Sequence, residues 1–125
     1  MADVGRVTPE TIEKAFAETP DAKAVLLVSP TYYGLCSDLQ AIAEICHCHN
    51  AALLVDEAHG SHLYFSEQLP LGALESGADA CAQSIHKTAG SFTQSSFLSL
   101  GSGRLDEEEW PPICRWYRVH RRPTF

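Results

Sequence analysis

The sequence predicts an α/β fold built on a mainly parallel sheet. Three observations carry that expectation. Ala24 to Ser29 and Ala52 to Val55 are short apolar runs without alternation, the pattern of parallel strands covered on both faces. Between them, Leu39, Ile42, Ala43 and Cys46 recur at helical spacing and give one apolar stripe. The helix–strand–helix–strand order that results is that of right-handed crossover units, whose ligands sit outside the carboxyl ends of the strands.

The elements follow in chain order. Thr8 can cap a first helix, Pro9 fits its first position, and Glu10 suits the positive end of its dipole. Ile12, Ala15 and Phe16 share one face, and Thr19-Pro20-Asp21 stops the helix. After the first apolar strand, Pro30 to Gly34 reads as a loop at its carboxyl end. Ser37-Asp38-Leu39-Gln40 has the form of a capping box, with Ser37 as the cap and Gln40 answering it. Asn50 is suited to end that second helix. Gly60 to Gly77 reads as loop with a short helix near Leu71 to Ser76. Asp79 to Gln83 is a third, weaker strand and Phe97 to Leu100 a fourth. In this layout Thr31, Asp56 and Lys87 all fall at the carboxyl edge of the sheet. Past the acidic run Asp106 to Glu109, Trp110 to Phe125 has no clear period.

At 125 residues the chain is long enough for one domain with a real core. Its formal charge of -7 argues against a general nucleic-acid surface or an anionic-membrane surface. No run is long and apolar enough to span a bilayer. Met1 to Arg6 carries neither a signal core nor a transit pattern. The five cysteines are odd in number and scattered, which reads as reduced thiols in a cytosol-like compartment. The expected location is therefore cytoplasmic, with an organelle left open.

Two stretches carry chemistry. Ala82-Gln83-Ser84-Ile85-His86-Lys87-Thr88 places a lysine after a strand, and Leu53-Leu54-Val55-Asp56-Glu57-Ala58-His59-Gly60 places an acid after another. An amine and a carboxylate so placed suit pyridoxal phosphate, which needs one for its aldehyde and the other for its ring nitrogen. Lys87 is then the Schiff-base lysine, an amine that must be activated because a free lysine has a pKa of about 10.4. Asp56 is the partner that keeps the pyridine nitrogen protonated. His86 suits the phosphate or the cofactor face, and His59 braces Asp56 or the cofactor. The plainer readings are a surface lysine, a loop acid after a strand, and ordinary hydrogen-bonded histidines.

Three further patterns have competing readings. Asp56-Glu57-Ala58-His59 is also the magnesium motif of one helicase class, but that reading needs a Gly-x-x-x-x-Gly-Lys-Ser/Thr loop, which the sequence lacks. Cys46-His47-Cys48-His49 invites a metal, yet neighbours one and two apart on a helix do not face together. A helix end with one buried thiol fits it better, and no metal ligands are assigned. Gly90 to Ser96 is rich in hydroxyls and suits either a phosphate or an ordinary polar loop.

The stretch Ala82 to Ser96 resembles the lysine-attachment signature of the bacterial-type ornithine/lysine/arginine decarboxylases, with Ser84, His86, Lys87, Gly90, Ser91, Thr93, Gln94, Ser95 and Ser96 at its constrained positions. Ser29-Pro30-Thr31-Tyr32-Tyr33-Gly34 and Val55 to Gly60 are similar to the same family's major domain, in the same order. The similarity runs from about Val7 to about Gly103. It implies part of a fold type I pyridoxal-phosphate major domain of the aspartate-aminotransferase-like fold, and decarboxylation of ornithine, lysine or arginine to carbon dioxide and an amine. It also implies that Lys87 and Asp56 are catalytic, that His59, Ser84 and His86 help hold the cofactor, and that the enzyme is a homodimer.

The family's phosphate-binding loop and ring-stacking residue, which lie upstream in the major domain, have no counterpart in this sequence. The expectation is a partial major domain over 1–104 and a divergent, poorly ordered tail over 105–125. An aminotransferase of the same fold and a catalytically inactive binding remnant are the alternatives.

Overall fold

In a computed structural model, the structure describes residues 5–101, 103–105 and 119–121. The elements run α1 (Pro9–Glu18), β1 (Ala24–Val28), α2 (Leu39–Cys48), β2 (Ala52–Asp56), a short 3₁₀ turn at Leu63–Phe65, β3 (Ala80–Ser84), α3 (Ile85–Thr88), β4 (Ser96–Leu100) and β5 (Val119–Arg121). The strands form one sheet in the order β1-β2-β3-β4-β5. β1, β2 and β3 are parallel, β4 is antiparallel to β3, and β5 is parallel to β4. The direction of β4 follows from its connection. The chain turns back through α3 and the hydroxyl-rich loop instead of crossing over a face of the sheet.

α1 begins as its sequence dictates. The Thr8 hydroxyl accepts from the Thr11 N–H at the cap, and Pro9 occupies the first turn, where its missing N–H costs nothing. α2 buries Leu39, Ile42, Ala43 and Cys46, the stripe that its spacing predicts. Asn50 follows with a φ of 55°, the left-handed conformation that stops the helix. The cap of α2 is Asp38 and not Ser37: the Asp38 carboxylate accepts from the Ala41 N–H at 3.1 Å. Ser37 is withdrawn from that role because its N–H donates to the Ser29 hydroxyl at 3.1 Å, which draws it into the interior.

α1 and α2 pack on one face of the sheet. Leu27, Val55 and Cys81 lie in register across β1, β2 and β3 and are buried against Ile12, Phe16, Ile42 and Cys46. The opposite face is different. Leu26 and Val28 of β1 are 73% and 47% exposed, and Leu54, Leu98 and Leu100 on the same face are half-buried. The expectation of strands covered on both faces therefore fails for β1 among the described residues. A continuous apolar run reports strand character, and the second layer it calls for is not part of what the described residues contribute.

Two further boundaries differ from expectation. The third strand begins at Ala80, because the Asp79 side chain turns back to accept the Leu53 N–H at 2.8 Å. The short helix expected at Leu71 to Ser76 is a single turn, closed by the Ser76 N–H donating to the Gly72 carbonyl at 3.0 Å. Most of the 105–125 segment lies outside the described residues, and within it Val119–Arg121 forms β5.

Candidate active site

Because β1, β2 and β3 run the same way, their carboxyl ends make one edge. Three loops leave it. From β1, the turn at Thr31 to Gly34 is held by the Gly34 N–H to the Thr31 carbonyl at 2.9 Å and by the Leu35 N–H to the Thr31 hydroxyl at 3.2 Å. Its tip presents Tyr32 and Tyr33, both exposed. From β2 comes Asp56, the last residue of the strand, and from β3 come Ser84 and then α3 with His86 and Lys87. The acid, at the end of β2, and the lysine, on the helix that leaves neighbouring β3, thus stand at the same edge.

Asp56 is half-buried, in register with Val28 on one side and Ala82 on the other. One carboxylate oxygen accepts the Ala58 N–H at 3.0 Å, which folds the chain into a turn directly after the strand. The other oxygen has no protein donor among the described residues. Lys87 is exposed on its four-residue helix. The Ser84 carbonyl accepts from the Ser61 hydroxyl at 3.5 Å, so the loop after β2 rests on the end of β3.

His59 does not brace Asp56 through Nδ1, which is buried with no hydrogen-bond partner. Its ring meets Tyr32 edge to face at 5.7 Å between centroids. His86 Nδ1 lies 2.9 Å from the Ser95 carbonyl oxygen and 3.1 Å from the Ser95 N–H, so it meets either group according to its tautomer. The Ser95 hydroxyl is also buried without a partner. A free amine, a carboxylate oxygen without a protein donor and two unpartnered polar groups at one sheet edge fit a cofactor bearing an aldehyde, a basic ring nitrogen and a phosphate.

One residue of this region escaped the sequence reading. Glu57 has no exposed surface, although it follows Asp56 directly. Its carboxylate accepts from the Ala73 N–H at 2.8 Å, the Tyr64 hydroxyl at 2.8 Å and the Gln83 side-chain amide at 2.7 Å. Burial pushes its pKa above the ordinary carboxylate range, and these three donors pull against that shift. Burial likewise raises the Tyr64 hydroxyl, and it raises the Cys81 thiol to about 12, with Glu57 adding to both. The signal for Glu57 was the period of the strand. Consecutive acids at a strand end point to opposite faces, so one of the two had to enter the helix layer.

At the other end of α2, Cys46 is fully buried, and burial lifts its thiol to about 11. Cys36, Cys46, Cys48 and Cys81 are free thiols. No helix among the described residues is long and apolar enough to cross a membrane.

Solved structures of the same shape include mouse CSAD, at 30% identity and a TM-score of 0.62 over 75% of this chain and 21% of that one. The serine palmitoyltransferase of Sphingomonas wittichii has a TM-score of 0.62 over 91% of this chain and 29% of its own, and at 23% identity it speaks for the fold alone. Sheet, helix layer and charged carboxyl edge together define a segment of a fold type I pyridoxal-phosphate enzyme, the class of these neighbours. Residues 2–115 match the major domain of the Orn/Lys/Arg decarboxylases, and the chain belongs to that family of decarboxylases. Among curated relatives, the arginine decarboxylase of Halalkalibacterium halodurans is 50% identical over 97 residues, which are 78% of this chain and 20% of that protein. The arginine decarboxylase of Bacillus subtilis is 45% identical over 102 residues, 82% of this chain and 21% of that protein. The chain spans about a fifth of the length of the curated relatives it matches.

Proposed function

We propose that this chain carries the lysine-bearing part of a pyridoxal-phosphate decarboxylase site for a basic amino acid. Arginine is the first choice among ornithine, lysine and arginine, because the relatives named above are arginine decarboxylases. The observation that carries the reading is the placement of Asp56, at the end of β2, and Lys87, on the short helix that leaves the adjacent parallel strand β3, at one edge of the sheet.

The residues divide the work by their chemistry. Lys87 offers the amine that holds the cofactor's aldehyde. Asp56 offers its free carboxylate oxygen to the ring nitrogen and keeps a proton there. Ser84, His86 and His59 supply the polar contacts that orient the ring and the phosphate, with the unpartnered Ser95 hydroxyl beside them. Pyridoxal phosphate held by these residues would supply an electron-withdrawing protonated ring, the sink that loss of carbon dioxide requires.

The test is to incubate the purified chain with pyridoxal phosphate, reduce with borohydride and map the modified lysine. Carbon dioxide release is measured separately with arginine, lysine and ornithine. Label on Lys87 is the expected result, and label spread evenly over Lys14, Lys23 and Lys87 would end the reading. A second reading, a binding chain without turnover, is favoured by the exposure of Lys87. It predicts label on Lys87 with no carbon dioxide from any of the three amino acids even when the complementary part of a relative's major domain is supplied.

A further inference from the structure

We propose that buried Glu57 is a positioning residue, whose bond to Gln83 sets the spacing of the strand ends from which Asp56 and the Lys87 helix leave the sheet. The inference rests on the function proposed above and adds to it a residue with no direct contact to cofactor or substrate.

The geometry behind it is local. Asp56 is in register with Ala82, so Glu57 and Gln83 are the next pair along the two strands. The Glu57 N–H donates to the Ala82 carbonyl at 2.8 Å, which extends the ladder by one bond. The Gln83 amide then donates to the Glu57 carboxylate at 2.7 Å, a side-chain tie across the same gap. Along an extended strand alternate residues face opposite ways. The tie therefore lies on the helix side, directly behind Asp56 and Ser84.

The same carboxylate also holds Tyr64 and the Ala73 N–H, so the loop between β2 and β3 is fastened to the strand ends at one point. Gly60 is part of the arrangement, because a Cβ there would run into the Glu57 side chain. A carboxylate is suited to this post in a way an amide is not. It accepts from all three donors at once, whereas a glutamine has a single acceptor oxygen and, in either orientation, turns its own N–H groups toward at least one of them.

The experiment uses the chain's three lysines as internal references. Lys14 and Lys23 are exposed and stand apart from the sheet edge, so the ratio of borohydride-fixed label on Lys87 to label on these two reports how the site is set. Glu57→Gln and Gln83→Leu are compared with the parent chain, each with a thermal melt. Phe16→Leu in α1, a core change far from the edge, serves as the stability control. The exchange variant Glu57→Gln with Gln83→Glu rebuilds the tie with its polarity reversed.

The expected result is a fall in the Lys87 ratio of about tenfold in each single variant, the scale of one buried hydrogen bond. The exchange variant recovers most of that ratio, and Phe16→Leu keeps it despite a lower melting temperature. A parent ratio near unity would overturn the functional reading and this inference with it. A parent preference for Lys87 that survives in both Glu57→Gln and Gln83→Leu would overturn the inference alone. So would a ratio that simply tracks melting temperature across all variants, Phe16→Leu included.

Discussion

Asp56 and Glu57 are adjacent carboxylates with opposite surroundings, and that contrast makes Glu57 testable by pH. Among the described residues Asp56 keeps one oxygen without a protein donor, while Glu57 is enclosed by the Tyr64 hydroxyl, the Ala73 N–H, the Gln83 amide and the Cys81 thiol. Burial is the larger influence and raises the Glu57 pKa above its unfolded value. A carboxyl group raised in this way contributes stability that is fully present below its unfolded pKa and is lost as pH rises through its folded one. The titratable neighbours Tyr64, Cys81 and Cys36 are all shifted upward, so they stay neutral across that window. Melting temperatures measured upward from pH of about 4.3, the ordinary glutamate value, should fall for the parent relative to Glu57→Gln. Parallel curves for the two proteins would show that Glu57 does not titrate there. Gly60→Ala probes the same enclosure by size. Its Cβ would meet the Glu57 side chain and stand 2.8 Å from Pro30 Cδ, so a loss of about 1–3 kcal/mol in denaturant unfolding is expected.

At the scale of elements, the cap of α2 separates two readings of one tetrapeptide. With Asp38 accepting the Ala41 N–H, Asp38→Ala should cost about 1 kcal/mol. Ser37→Ala should be neutral or stabilising, because the Ser37 hydroxyl is buried without a partner. The reverse order of the two variants in a urea titration would restore Ser37 as the cap. The sequence pattern was correct in kind and wrong by one residue, since nothing local reveals that Ser29 captures the Ser37 N–H. The stripe Leu39, Ile42, Ala43, Cys46 and the strands β1 and β2 were legible because burial repeats at the period of the backbone. Asp56, Lys87 and the edge they share were legible because each follows such a strand. What stayed hidden depends on partners distant in sequence. Glu57 is fixed by Ala73 and Gln83, Asp79 by Leu53, and the exposed face of β1 by whatever layer accompanies it.

For the molecule as a whole, the expectation is that these 125 residues alone bind pyridoxal phosphate weakly and release no measurable carbon dioxide. Tight binding in the resembled family draws on four contacts: the lysine linkage, the ring-nitrogen pair, a stacked ring and a phosphate cradle. Lys87 and Asp56 supply the first two, and the sequence shows no counterpart to the family's loop and stacking residue for the others. Each missing charge-assisted bond to phosphate is worth about 1.5–3 kcal/mol, so two such losses weaken binding by on the order of a hundredfold or more. The surroundings of the lysine point the same way. An amine becomes a good nucleophile when it is desolvated, and Lys87 stands in solvent on a four-residue helix. The open face adds to the shortfall, because Val28 and Ala82, which flank Asp56 in register, are themselves exposed and keep water near the carboxylate. In water an Asp56–pyridinium pair is worth far less than in an enclosed site. A loosely held ring also misplaces the bond to be broken, which lowers turnover beyond the loss in occupancy. Titration of the chain with pyridoxal phosphate, followed by absorbance and by borohydride fixation on Lys87, should therefore show partial labelling that rises with cofactor concentration without reaching a sharp equivalence point. A sharp one-to-one endpoint at low cofactor, with carbon dioxide released from arginine, would show instead that the edge of this sheet is sufficient as a site.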